Sequence, residues 1–364
     1  MGDVGASAFQ NGAARPSAPD VTCGACVVVA DGGRVLFARA GRELRSNAST
    51  TKMITALLVV QEADIDGIVT VSATAAATGG GGLDLLAGDQ FSVHDLLYAL
   101  LLTSSNDSAV ALAEHVSGSE GEFVVRMNKL ARSLGAKDSQ FVTAHGLDAP
   151  GHYSTARDLA VFGAEVLEDA TLAPIVASPR AVLTGPRGAI EVENRNLLLE
   201  SYPHALGIKT GYTAGAGNVL VAAAGRRHRT VIAVAMGSVD ATEDARRLLD
   251  YGFARLGRTL LLRAGAPVGA LVLPTGGSTR VIAAASVRAL EDPGRVVVDF
   301  EPVPVPAVLN EGDPVGAITV TVGRRVVATV DAVAADSVPA AERGWPVGMV
   351  ETILRTAARA AGKL

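Results

Sequence analysis

The stretch Asn47-Ala48-Ser49-Thr50-Thr51-Lys52-Met53-Ile54-Thr55-Ala56-Leu57-Leu58 decides how the rest of the chain is read. An apolar helical pattern begins within it, and Ser49 and Lys52 stand at i and i+3, on one face of the coming helix. A serine hydroxyl becomes a useful nucleophile when a base removes its proton. A lysine can be that base if its surroundings keep it neutral. The first turn of a helix adds free N–H groups and partial positive charge, which favour developing negative charge. The plainer alternative is that Ser49 only caps the helix.

Two further motifs lie downstream. Ser104-Ser105-Asn106 follows the apolar run Leu96–Leu102 and precedes a second helical pattern, Ala109–Glu114. It therefore occupies a turn between helices, where an N-cap is the ordinary use of such residues and projection into a cleft the functional one. Lys209-Thr210-Gly211 follows Ala205-Leu206-Gly207-Ile208 and leads through Tyr212 into Val219–Ala222. That context reads as a strand edge, with a glycine permitting close backbone approach. Each triplet is weak alone; the three in this order and in these contexts are strong.

With S-x-x-K, S-x-N and K-T-G in place, the chain resembles the serine-type D-alanyl-D-alanine carboxypeptidases, the low-molecular-mass penicillin-binding proteins. The resemblance runs from about Cys26 to about Phe253. It includes Phe141–Asp148, Gly151–Ala160, Gly207–Thr213 and Leu248–Phe253. It implies an α/β fold of the penicillin-binding and β-lactamase type: an antiparallel sheet flanked by helices, with a helical insert carrying Ser104 and Asn106. It also implies roles. Ser49 attacks the carbonyl between two D-alanines, Lys52 takes its proton, and Ser104 bridges Lys52 and Lys209 and hands a proton to the leaving amine. Asn106 holds the substrate amide and orients Lys52. Lys209 and Thr210 meet the terminal carboxylate. Gly211 brings the strand close, and the backbone N–H groups of Ser49 and Tyr212 form an oxyanion hole.

Three departures accompany the resemblance. Ser105 stands where glycine is common, and Asn218 replaces an aromatic residue. Ala241 falls where an arginine for the terminal carboxylate usually precedes the last helix of the domain, and Arg246 and Arg247 are not expected to reach. Loss of a charge-assisted contact weakens carboxylate recognition and leaves acylation by β-lactams intact.

The implied substrate is the stem pentapeptide of peptidoglycan, with β-lactams as inhibitors and no cofactor or metal. Competing readings are a D,D-endopeptidase, a β-lactamase and a non-catalytic wall-binding relative. Against the β-lactamase stand Ser105 inside S-x-N and the lack of a clear counterpart to the deacylating glutamate between Asn106 and Lys209. Against the non-catalytic reading stands the intact set of motif side chains.

Composition agrees with a large globular chain. Hydrophobic residues make up 49% and charged residues 19% of 364, room for two domains. A net charge of -5 argues against nucleic acid as a partner. No stretch is long and apolar enough to read as a transmembrane helix. The opening Met1–Ser7 shows no basic-then-apolar leader. An extracytoplasmic wall enzyme must be exported, which implies a trimmed leader or a start that lies elsewhere.

Four regions are expected. Residues 1–20, rich in Gly, Ala, Ser and Pro, are a disordered leader. Residues 21–262 are the peptidase domain, with Gly79–Gly82 as a flexible rim and the sheet resuming near Ile190. Residues 263–342 are a β-rich domain with strands at Val268–Leu273, Thr279–Ala283, Arg295–Phe300 and Ala317–Val322. Residues 343–364 form an amphipathic helix whose Arg355, Arg359 and Lys363 make a basic stripe, a solvated face or a membrane-surface contact. Cys23 and Cys26 fall in a strand pattern that points them to opposite faces, so core packing is expected in place of a disulfide.

Overall fold

A computed structural model describes residues 17–226, 229–256, 259–273, 277–289, 296–323 and 325–339. Residues 1–16 of the leader expected over 1–20, residues 227 and 228, and the basic-striped helix expected at 343–364 lie outside the described residues. The chain divides into two compact units, 1–255 and 256–364.

The first unit is organised by five antiparallel strands: β1 Ala25–Ala30, β2 Arg34–Arg39, β3 Ala205–Thr213, β4 Gly217–Arg226 and β5 Arg229–Ser238. Their spatial order is β2-β1-β5-β4-β3, so the amino-terminal hairpin pairs with the carboxy-terminal one. Helix α1 (Lys52–Glu62), α2 (Asn106–Ser117), α3 (Glu120–Ser133) and α4 (Ala156–Glu168) come between the hairpins, and α5 (Ala241–Arg255) closes the unit.

Alternation along β5 assigns its two faces. A Cβ on Gly252 of α5 would meet Val231 and Val28, whereas one on Gly163 of α4 would meet Ile232, Ile208 and Val221. Val231 and its neighbour Ile232 thus cover opposite faces, as successive strand residues must. The sheet is apolar on both faces and covered on both, which buries strands such as Val219–Ala224 almost completely. This is the expected antiparallel, helix-flanked α/β architecture.

Three local expectations are corrected. The main sheet resumes at Ala205; residues 180–193 instead form a separate hairpin, Arg180–Gly185 with Gly188–Glu193. Alternation at Ile190 and Val192 is satisfied by that hairpin, and periodicity alone cannot say which sheet a strand joins. Cys23 and Cys26 are joined as a disulfide. The strand begins only at Ala25, and the chain bends at Gly24, so the rule that sends thiols three apart to opposite faces does not reach Cys23. Their Cα atoms, 6.2 Å apart, lie within the span such a bridge allows. The Gly79–Gly82 run, finally, is no free rim: its backbone packs against the S-x-N turn.

The second unit holds a five-stranded antiparallel sheet of β6 Pro267–Val272, β7 Ser278–Ala283, β8 Val296–Pro302, β9 Pro314–Val322 and β10 Arg325–Ala334, in the order β6-β7-β10-β9-β8. Val281, Val315, Ile318, Val320 and Ala332 form its core. Sequence reading found four of these strands and missed β10. Its Asp331 and run of small residues blur the alternation of a sheet strand.

Candidate active site

Ser49 sits on a tight 3₁₀ turn, Ala48–Thr51, that runs directly into α1. The turn is over-determined by short polar side chains. Asn47, fully buried, donates through Nδ2 to Thr51 Oγ1 at 2.8 Å, Thr50 Oγ1 donates to the Asn47 carbonyl, and Thr51 Oγ1 donates to the Ala48 carbonyl at 2.8 Å. This scaffold holds Ala48 at φ 49, a left-handed conformation that costs an alanine energy and is tolerated where surroundings impose it. His152 braces the turn from outside. Its Nδ1 accepts from Val142 N, so Nε2 carries the proton and donates to Thr51 Oγ1 at 2.9 Å. Burial pushes the His152 imidazole down to about 4 and keeps that tautomer neutral.

Lys52 is completely buried one turn below Ser49. Its Nζ lies 2.8 Å from Ser49 Oγ, 2.6 Å from Asn106 Oδ1 and 2.7 Å from the His145 carbonyl. Burial, then the charges of Lys209 and Arg195, hold its pKa well below the ordinary lysine range, with Asp107 opposing. An amine poised against a hydroxyl in that state is a base for it.

The S-x-N turn is reached through an irregular helix end. The helix Val93–Tyr98 continues as a π-helical turn, Ala99–Thr103, and Ser104 then adopts φ 68. Wider turns of this kind recur at functional sites because the extra residue re-aims the side chains beyond it. Ser104 Oγ is buried and has no hydrogen-bond partner among the described residues. The expected bridge from Ser104 to the two lysines is therefore not made: Lys52 is satisfied by Ser49, Asn106 and His145, and Lys209 Nζ donates to the Thr210 carbonyl at 3.0 Å. Ser105, the departure from glycine, caps α2 and is buried against Ser108 and Asp107. Asn106 donates through Nδ2 to the Gly79 carbonyl at 2.9 Å, and its backbone N–H reaches the Gly81 carbonyl. A Cβ on Gly80 would stand 2.8 Å from Asn106 Nδ2. The glycine run is thus small because it packs on the motif.

Lys209-Thr210-Gly211 lies on edge strand β3, alongside the Ser49 turn. A Cβ on Gly211 would fall 3.0 Å from Ser49 N and 3.1 Å from Ala48 Cβ, which is why glycine is needed there. Lys209 is 1% exposed, and burial with Arg195 nearby brings its pKa down to about 7. Tyr212 is 69% exposed at the rim. Asp148 ties the loop after His145 to the β3–β4 turn by accepting from Thr213 Oγ1 and Gly215 N.

These parts enclose a cleft of about 560 Å³ that Ser49, Ser104, Thr210, Gly211, Tyr212 and Asn218 line. Ala241 lines it too, on the wall Val239–Thr242. Arg246 is engaged by Glu243 and Asp250, and Arg247 by Glu243 and Asp20. Arg195, absent from the sequence reading, lines the cleft instead and is solvent-exposed. Its only advance signal is the pair Asn194 and Asn196, whose side chains accept from Asn196 N and Leu198 N and build the turn that presents it.

The family model described as D-alanyl-D-alanine carboxypeptidase matches residues 12–240. D-alanyl-D-alanine carboxypeptidase DacD of Salmonella typhimurium is 36% identical over 270 residues, spanning 70% of this chain and 68% of the relative. The crystal structure of a D-alanyl-D-alanine carboxypeptidase from Mycobacterium tuberculosis H37Rv superposes with a TM-score of 0.63 at 32% identity, covering 66% of this chain and 95% of that one. The DacD structure from Francisella tularensis superposes with a TM-score of 0.65 over 92% of this chain and 98% of that one. At 23% identity it speaks to fold alone.

Proposed function

The chain belongs to the D-alanyl-D-alanine carboxypeptidase family, and from that premise we propose how its own residues carry the reaction. The enzyme is a serine-type hydrolase that removes the terminal D-alanine of a peptidoglycan stem peptide. Ser49 Oγ attacks the carbonyl joining the last two residues as its proton passes to Lys52 Nζ, 2.8 Å away. The oxyanion that forms is held by the N–H groups of Ser49 and Tyr212. Each such donor contributes roughly 3 kcal/mol. The C–N bond then breaks, and the proton that Lys52 received passes by way of Ser104, whose buried hydroxyl is otherwise unpartnered, to the leaving amine. Water hydrolyses the Ser49 ester and restores the proton balance. Asn106 holds Lys52 in line and faces the substrate amide.

The terminal carboxylate meets Thr210, with Lys209 behind it. Arg195 supplies the exposed charge that Ala241 cannot. β-Lactams acylate Ser49 by the same attack. We place this activity outside the cytoplasm, where the stem peptide is; no described helix is long and apolar enough to cross a membrane.

One observation carries the reading: a fully buried lysine in hydrogen-bond contact with a serine at a helix start, its pKa held down by burial. Incubation with penicillin should leave a stable adduct on Ser49 by peptide mass spectrometry, and a pentapeptide ending in D-Ala-D-Ala should release D-alanine. Rapid turnover of the penicillin would point to a β-lactamase, and no adduct with no release would refute the assignment.

A further inference from the structure

The cleft wall at Val239–Thr242 is held from behind by groups that no motif announces. Asp244, 2% exposed, accepts three hydrogen bonds: from Thr22 N at 2.9 Å, Thr22 Oγ1 at 2.8 Å and Ser238 Oγ at 2.6 Å. A carboxylate only accepts, so both hydroxyl protons are spent on it. The Thr22 oxygen then presents a lone pair to Val239 N, 3.1 Å away. From the front, Asn218 Nδ2 donates to the Ser238 and Val239 carbonyls at 3.1 and 3.2 Å. Thr22 is itself anchored, because the next residue, Cys23, is bonded to Cys26 in β1 and Gly24 N donates to the Gly237 carbonyl.

We propose that Thr22 and Asp244 are positioning residues for the reaction: a segment more than 200 residues upstream sets the wall of the cleft that faces the departing end of the substrate. The inference rests on the assignment of that wall to the carboxylate side. Neither residue is among those that line the cleft. They act through Val239, whose backbone they fix, while the nucleophile turn is braced separately by Asn47 and His152. Their loss therefore falls on substrate binding and spares the chemistry of Ser49.

Thr22 is solvent-exposed, so its replacement leaves the core intact. Thr22→Val keeps the shape and removes the oxygen; Thr22→Ser keeps the oxygen. Thr22→Val should raise KM for a D-Ala-D-Ala peptide roughly three- to tenfold, the scale of one hydrogen bond, with kcat within about twofold. Thr22→Ser should match wild type. Amide exchange at Val239–Thr242, followed by mass spectrometry, should be faster in Thr22→Val alone. Unchanged KM and exchange in Thr22→Val, or equal impairment in Thr22→Ser, would overturn the proposal. Exchange does not depend on turnover. Faster exchange in Thr22→Val of a protein that releases no D-alanine would keep the clamp and count against the activity; equal exchange would sink the clamp whatever the activity.

Discussion

The two walls of the cleft are built on opposite physical plans. On the nucleophile wall, Asn47, Thr50, Thr51, Lys52 and Asn106 are at most 2% exposed, and each makes several hydrogen bonds. On the facing wall Val239 is 81% exposed, Asp240 is solvent-exposed, and the backbone is held by a few contacts from behind. A base that must stay neutral has to be kept from water, so its wall is dry. A charged chain end that must enter and leave needs a wet one. Changes on the dry wall should cost orders of magnitude, and changes on the wet wall about tenfold steps.

The largest effect is expected from Ser49→Ala, which should abolish labelling by a fluorescent penicillin. Lys52→Ala should slow labelling by roughly 10²–10⁴-fold, the span of general base catalysis. Undiminished labelling of Ser49→Ala would put the nucleophile elsewhere and end the contrast between walls.

Among the solvent-exposed residues that line the cleft, Arg195→Ala should lower kcat/KM for a D-Ala-D-Ala pentapeptide by about ten- to a hundredfold, the worth of a charge-assisted hydrogen bond made in the transition state. Ala241→Arg should raise it in the same measure. Steady-state kinetics showing Arg195→Ala unchanged would leave carboxylate recognition to Thr210 and Lys209 alone.

The pH profile tests the link between the walls. Lys209, with its pKa near 7, is charged below neutrality, so its pull on the carboxylate should fade as pH rises past about 7. Acylation by a carboxylate-bearing penicillin should show that alkaline decline, several-fold in size, and Lys209→Arg should move it upward. An unmoved decline would assign it to another group. The sign for stability is opposite. The native state binds fewer protons than the unfolded chain between about pH 7 and 10.5, so stability should increase across that window.

The smallest catalytic effect is expected at the disulfide. Its loop is short, and cross-linking so few residues contributes about 2 kcal/mol. Replacing Cys23 and Cys26 together by serine should lower Tm by roughly 4–8 °C while penicillin labelling of Ser49 continues. Loss of labelling in a folded double variant would mean that the amino-terminal segment supports the dry wall too.

The sequence by itself put Ser49 beside Lys52, because i and i+3 on a helix start are neighbours whatever surrounds them. It determined the order of strand, helical insert and closing hairpin, and the character of the two units, because period and turn chemistry are local. It also set Ala241 where the resemblance leads one to expect an arginine. Only the tertiary structure decided the rest. Whether Ile190 belongs to the main sheet, whether Cys23 can reach Cys26 past Gly24, and why Gly80 and Gly211 must be small all depend on what lies across from them. Arg195 enters the cleft from a turn with no catalytic pattern, and Thr22 reaches Asp244 across 222 residues of chain. The pKa of Lys52 is lowered only because folding removes water and sets Lys209 and Arg195 nearby, and no spacing along a chain encodes that burial.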